Sequence, residues 1–269
     1  MGAVRVATLA MGTRFELVIT GDDEPRLRAI GEAAVERIEE AHRAFTRFDN
    51  DSLLAHLRRT APKLTAVDAD QFALFTDAVA VTRLSAGGFD PSLGRRSLDT
   101  ALILEPATRR VGLSGPDTAL DFGAIAKGHA VDLAVATLKE AGVTAAFVHG
   151  GTSSGFGLGT PPGQTGWRVS LGRMPGDPIL DLRDQGFSVA GALSIRAGSR
   201  RGHTINPRTG RALRADRRVA VVGPSARLAD AWSTAVLVTG RRPQSLPDHW
   251  RIWQCDAHHR WIEMARTAG

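Results

Sequence analysis

Cysteine is almost absent from the 269 residues: Cys255 stands alone, so no intrachain disulfide can form and no thiolate metal site can be assembled. Tyrosine is missing altogether, which leaves stacking on any ring-shaped ligand to Phe, Trp or His. No apolar run approaches the roughly eighteen residues of a membrane span. The first residues, Met1-Gly2-Ala3-Val4-Arg5, run straight into strand-like sequence with no leader and no early Cys to be lipidated, so a cytoplasmic protein without a membrane anchor is expected. Low-complexity tracts, internal repeats and linkers are also missing. With 43% apolar and 23% charged residues the composition is that of an ordinary globular chain, which excludes disordered and fibrous classes. A chain of this length buries a sizeable core, and the expectation is one domain over residues 1–269, with room for two interwoven subdomains.

The formal charge of +6 suits an anionic partner. The arginines, however, come in scattered pairs such as Arg58-Arg59, Arg109-Arg110, Arg200-Arg201 and Arg241-Arg242, and no recognition motif accompanies them. They read as a solvated surface, and nucleic acid is not an expected partner.

Residues 14–20 alternate Phe15, Leu17 and Ile19 with more polar neighbours, the period of a half-buried strand, and 4–10 pairs with them across Met11-Gly12-Thr13. Pro25 opens a helix whose Leu27, Ile30, Ala34, Ile38, Ala41 and Phe45 form a core-facing stripe. A second helix is expected over 70–85, with Phe72, Phe75 and Val79 turned inward, and a short strand near 101–104. A loop at 120–128 then feeds a helix that stops at Gly142. Residues 145–149 read as a buried strand and 150–159 as a flexible glycine-rich turn; strands follow at 167–171, 179–182 and 219–222. Ser225 starts a helix closed by Gly240, and 250–255 with 261–264 make a terminal hairpin. Strands cluster between helices rather than alternating with them, so the fold class is α+β, with mixed sheets and packed helices.

Four patches carry chemistry. Asp230 and Thr234 lie four residues apart on one helix face, with Leu228, Trp232 and Val236 able to occupy the buried side. A carboxylate beside a hydroxyl suits a hard cation shared with phosphate oxygens, although an early-turn Asp also serves the helix dipole alone. In Leu120-Asp121-Phe122-Gly123-Ala124-Ile125-Ala126-Lys127-Gly128, the backbone at Ala124 can face a metal and Lys127 can reach a phosphate, at a helix N-terminus where anions are comfortable. His203-Thr204-Ile205-Asn206-Pro207-Arg208-Thr209-Gly210 is a turn that offers His203 to a reacting group. The glycine-rich segment after His149 matches neither the Walker nor the dinucleotide fingerprint.

In order and spacing, Met11-Gly12-Thr13, Arg47-Phe48-Asp49-Asn50-Asp51-Ser52, Gly88-Phe89-Asp90-Pro91-Ser92-Leu93-Gly94, the 121–128 segment, Gly150-Gly151, the 203–210 turn and the 229–235 segment together resemble the signature blocks of ApbE-type flavin transferases. The resemblance implies an ApbE-like, T-fold-like architecture and Mg²⁺-dependent transfer of FMN from FAD to a Thr or Ser hydroxyl of a client flavoprotein, with AMP released. It implies that Asp230, Thr234 and the Ala124 carbonyl hold the metal. Lys127, His203 and Asp230 would carry the catalysis. Met11, Gly12, Thr13, Asp90, Asp121, Gly123, Ala124, Lys127, Gly150, Gly151, His203 and Asn206 would bind FAD. The sequence departs from the family pattern at Thr152 and Asn206, where Asp is usual, and at Ala190-Gly191, where a Thr-Ser pair is usual. Two alternatives stay open: an FAD pyrophosphatase yielding FMN and AMP, and a non-catalytic flavin- or nucleotide-binding protein.

Overall fold

The structure is a computed structural model, and it describes all residues except 1, 93–95, 173, 192–203, 214–216, 257 and 266–269. In chain order the elements are β1 (Gly2–Ala10), β2 (Thr13–Gly21), α1 (Glu24–Phe45), α2 (Leu53–Thr60), β3 (Thr65–Ala66), α3 (Ala69–Leu84), α4 (Leu98–Ala101), β4 (Leu102–Glu105), β5 (Arg110–Leu113), α5 (Ala126–Glu140), β6 (Ala146–Gly150), β7 (Ser154–Leu158), β8 (Trp167–Ser170), β9 (Ile179–Leu182), β10 (Gln185–Gly191), β11 (Ile205–Asn206), β12 (Arg211–Ala212), β13 (Arg218–Gly223), α6 (Ala226–Thr239), β14 (Arg251–Cys255) and β15 (Trp261–Glu263). An antiparallel eight-stranded sheet runs β1-β2-β6-β7-β10-β13-β14-β15. The α+β class expected from the sequence is the one observed.

One face of this sheet receives the helices. Phe15, Leu17 and Ile19 alternate inward from β2 and are fully buried against the α1 stripe of Leu27, Ala34, Ile38 and Ala41 and against α5. Each such side chain contributes about 1.5–3 kcal/mol relative to exposure. Further along, Val219 and Val221 of β13 pack on Ala229, Trp232 and Val236 of α6, and α3 adds Leu74, Phe75 and Ala78. The opposite face is covered by the β8–β9 hairpin through Phe187, Ala220, Val222 and Trp253.

Local chemistry sets the helix ends. The Asp23 carboxylate accepts from the Arg26 amide and Pro25 sits in the first turn of α1; Ser225 caps α6 by accepting from the Leu228 amide; Gly240 ends α6 at φ 68°. Asp68 and Gln71 form a capping box, so α3 begins at Ala69 and its inward residues are Leu74, Phe75, Ala78 and Val79, with Phe72 only partly buried.

One expectation is corrected. Most of the glycine-rich segment after Gly150 is not a flexible turn: 154–158 is the buried strand β7, central in the sheet. Its glycines permit close approach. A Cβ on Gly155 would lie 2.6 Å from the Phe187 ring, and one on Gly157 would lie 3.0 Å from Leu182 and Trp167. The turn proper is confined to the residues between β6 and β7.

Candidate functional site

The helices α5 and α6 cross at their N-terminal ends, in backbone contact. A Cβ placed on Gly128 would stand 2.2 Å from the Ala226 carbonyl oxygen, so only glycine allows this approach. The contact brings Asp230 of α6 to the open N-terminus of α5, which has no capping side chain of its own. Asp230 Oδ2 accepts from the Gly128 amide at 3.1 Å, and Oδ1 accepts from the hydroxyls of Ser188 at 2.8 Å and Ser154 at 3.3 Å. Ser233 lies behind them, its Oγ donating to the Asp230 carbonyl and standing 3.4 Å from Ser188 Oγ. Backbone and hydroxyl donors, together with the positive end of the helix, surround an Asp230 side chain that is only 4% exposed.

Lys127 supplies the cation. Its ammonium stands 4.0 Å from Asp230 Oδ2 and donates to the Gly123 carbonyl at 3.1 Å. The loop ahead of it is fixed by Asp121, whose Oδ1 accepts from the Gly123 amide and whose Oδ2 pairs with Arg47 at 3.0 Å. The Asp121 amide in turn donates to the Pro91 carbonyl, which brings the Asp90 loop alongside; Asp90 Oδ1 accepts from the amide and hydroxyl of Ser92.

A second group assembles at the ends of β1, β2 and β6. Met11 and Gly12 turn the β1–β2 hairpin with φ of 51° and 70°, and the Met11 amide donates to His42 Nδ1. Gly151, at φ 60°, sits against Thr13: its amide donates to the Arg14 carbonyl, and a Cβ there would be 2.3 Å from Thr13 Oγ1. Ser154 begins β7 just beyond this turn, and its bond to Asp230 links the two groups.

Several expected residues fall outside this assembly. His203 lies outside the described residues. Asn206 Oδ1 accepts from the Arg208 amide and shapes its own turn. Thr234 is half-buried one turn beyond Asp230. The sequence-based picture of α6 is also corrected, because Asp230 is not opposite the buried side; it faces the serines of β7 and β10. Ser188, Ser233 and Asp132 were missed by the sequence reading. Ser188 would have been legible as the inward polar position of β10, had that strand been recognised. Among the described residues no three His, Cys, Asp or Glu side chains gather into a metal cage.

Flanking the crossing, Arg227 pairs with Asp77 at 2.7 Å and stands 3.4 Å from His129 Nδ1. Burial, aided by Arg227 and Arg37, pushes the imidazole pKa down to about 3, so His129 is neutral. Because guanidinium only donates, Nδ1 is the acceptor and the ring proton sits on Nε2. Burial also raises the Asp77 carboxyl, opposed by Arg227.

The ApbE family model matches residues 11–98 and 96–246, spanning both groups of residues. The chain belongs to the ApbE family. Among ApbE-like relatives, the FAD:protein FMN transferase of Rhodobacter capsulatus is 33% identical over 190 residues, which is 64% of this chain and 32% of that protein, so this chain spans about a third of its length. The FAD:protein FMN transferase of Salmonella typhimurium is 25% identical over 86% of this chain and 77% of its own. Two solved structures share the fold: the ApbE protein of Thermotoga maritima, with a TM-score of 0.81 at 20% identity over 97% of this chain and 96% of its own, and the flavin transferase ApbE of Vibrio cholerae, with 0.78 at 19% over 99% and 98%. The helix crossing, with Asp230 and Lys127 at its mouth, therefore belongs to an ApbE fold.

Proposed function

We propose that this chain is an FAD:protein FMN transferase that moves FMN from FAD to a Thr or Ser hydroxyl of a client flavoprotein and releases AMP. The observation that carries the reading is the pairing of the buried Asp230 carboxylate with the Lys127 ammonium at the N-terminus of α5. In the reaction the client oxygen forms a bond to the FMN-side phosphorus, the bond from that phosphorus to the bridging oxygen breaks, and the hydroxyl proton leaves with solvent or base. Such a transfer demands in-line placement and neutralisation of charge on the diphosphate oxygens.

The donor set fits Mg²⁺. A carboxylate (Asp230), a hydroxyl (Thr234) and a backbone carbonyl (Ala124) are all hard oxygen ligands, and Mg²⁺ takes few protein ligands while keeping waters and phosphate oxygens. When bound, the ion would supply charge neutralisation on the diphosphate. Asp230 Oδ1 is committed to two serines, so Oδ2 is the oxygen available to a cation, and Lys127 is its loosest partner. Released from Asp230, the Lys127 ammonium would bind a phosphate oxygen as a point charge. The amides at the start of α5 favour the same anion. Met11, Gly12, Thr13, Gly150 and Gly151 would bind FAD across the β1–β2 and β6–β7 turns, and Asp90, Asp121 and Gly123 would shape the loop over the diphosphate. His203 and Asn206 are assigned to the phosphate side by family resemblance.

The test is incubation with FAD, Mg²⁺ and a client flavoprotein, read by mass spectrometry for the FMN adduct and by chromatography for AMP. Asp230→Asn is expected to lower AMP formation by at least about 100-fold, the scale of losing one preorganised electrostatic group. Unchanged product formation in that variant refutes the assignment. AMP without a modified client would make water the acceptor, and bound flavin without AMP would make the chain a binding protein.

A further inference from the structure

The crossing of α5 and α6 is held from both sides. While Asp230 of α6 serves the N-terminus of α5, Asp132 of α5 serves the N-terminus of α6: Oδ1 accepts from the Ala226 amide at 2.9 Å, and Oδ2 from the Arg227 amide at 3.1 Å and the Ser225 hydroxyl at 2.7 Å. Each helix N-terminus carries about half a positive charge, so two of them in backbone contact repel unless each receives a carboxylate. The arrangement is reciprocal, with each carboxylate borne by the opposite helix. Arg227 sends its guanidinium to Asp77 instead, so the oxygens of Asp132 are directed to the backbone and cap of α6.

We propose that Asp132 is a positioning residue: by fixing the first turn of α6 on α5 it sets where Asp230 presents its oxygens beside Lys127, and where Thr234 stands one turn further along α6. The inference rests on the reading of Asp230 and Thr234 as metal ligands. Replacing Asp132 by Asn leaves one acceptor oxygen for three donors: even with that oxygen kept toward the Arg227 amide and Ser225 hydroxyl, the NH₂ faces the Ala226 amide, so the α6 N-terminus must shift or lose a partner. Asp230 lies one turn into the same helix and moves with it. Outer partners that orient ligands in this way change metal affinity about 10- to 100-fold.

The experiment measures Mn²⁺ binding to the full chain in the presence of FAD, by electron paramagnetic resonance of the free ion, in the wild type, Asp132→Asn, Ser225→Ala, Asp230→Asn and Val236→Ala. The last is a buried α6 substitution that lowers stability without touching the crossing. Asp132→Asn is expected to weaken Mn²⁺ binding about tenfold, and Ser225→Ala, which removes one donor to Asp132, by a smaller factor in the same direction. Val236→Ala stays within about twofold of wild type at a comparable loss of melting temperature. Wild-type Mn²⁺ affinity in Asp132→Asn despite a lowered melting temperature overturns the positioning role. If Asp132→Asn does not fold, Ser225→Ala decides by the same measurement, and unchanged affinity in it overturns the role. Unchanged affinity in Asp230→Asn instead refutes the metal reading itself, and the positioning role with it.

Discussion

Gly128→Ala puts two opposed effects on one atom, and the distances settle the sign. In a solvent-exposed helix the change is favourable by about 1 kcal/mol, because Ala loses less backbone entropy than Gly. Here the new Cβ would meet the Ala226 carbonyl oxygen at 2.2 Å, its carbon at 2.6 Å and Arg227 Cα at 2.8 Å. All three are backbone, so no side-chain rotation relieves the overlap. Ordinary contact needs about 3.4 Å, which means α5 and α6 must part by on the order of 1 Å. Such overpacking costs about 1–3 kcal/mol. The same displacement stretches the bond from the Gly128 amide to Asp230 Oδ2, now 3.1 Å, beyond useful length. Losing a hydrogen bond to a charged group costs about 1.5–3 kcal/mol more. After the propensity gain the net is a destabilisation of about 1.5–5 kcal/mol, which lowers the melting temperature of a chain this size by on the order of 10 °C. Circular dichroism melts of the two proteins measure it. A melting temperature equal to or above that of the wild type would mean that the helices do not cross at Gly128, and the site built on that crossing would fall with it.

Two further outcomes follow from the same neighbourhood. Lys127 is partly exposed and its pair with Asp230 is loose at 4.0 Å, so Lys127→Met is expected to change stability by no more than about 1 kcal/mol while lowering AMP release from FAD by at least about 100-fold; equal turnover in variant and wild type would remove Lys127 from the phosphate site. His129 is neutral when folded, with its pKa down to about 3 against an ordinary 6.5. The unfolded chain therefore takes up a proton that the folded chain refuses between those values, and the stability that this group provides above about pH 6.5 is lost as pH falls toward 3, by up to about 5 kcal/mol. Asp77 and Asp132 run the other way: burial raises both carboxyls, so acid relieves a cost that they impose near neutral pH. His129→Gln isolates the imidazole contribution. Its melting temperature should fall less than that of the wild type between about pH 7 and about pH 4.5, and parallel curves would show that His129 is not excluded from protonation.

Much of the scaffold was legible because local chemistry announced it. The β1–β2 hairpin, the α1 stripe and the caps of α6 at Ser225 and Gly240 are all encoded within a few residues of where they act. Strand β7 was not, because Gly155 and Gly157 look like turn residues until Phe187, Leu182 and Trp167 are known to press on them. Strand β10 was missed for a related reason: Gln185, Gly186 and Ser188 weaken its apolar pattern, although Ser188 faces inward to bind Asp230. At the site, the spacing of Asp230 and Thr234 gave the right helix but the wrong surroundings. The partner that makes Asp230 a cap is Gly128, 102 positions away, and Asp132 reaches Ala226 across 94. No periodicity within one helix carries information of that range.

That long-range wiring changes which residues speak for chemistry. Gly128, Asp132 and Asp230 hold two helix N-termini together, so packing alone accounts for their presence, and a chain that only bound nucleotide would need them equally. Lys127 differs. Its ammonium touches the Gly123 carbonyl and the edge of Asp230, and neither contact is needed to close the crossing. Thr234 is likewise only half-buried one turn beyond. The departures from the family pattern that the structure describes lie on elements other than α5 and α6: Thr152 in the β6–β7 turn, Ala190 and Gly191 at the end of β10 and Asn206 at the end of β11. Stability and turnover are therefore expected to separate. Substitutions at the crossing should change both together, whereas Lys127→Met should lower turnover with little change in stability, and that separation would distinguish a transferase from a protein that has kept only the architecture of one.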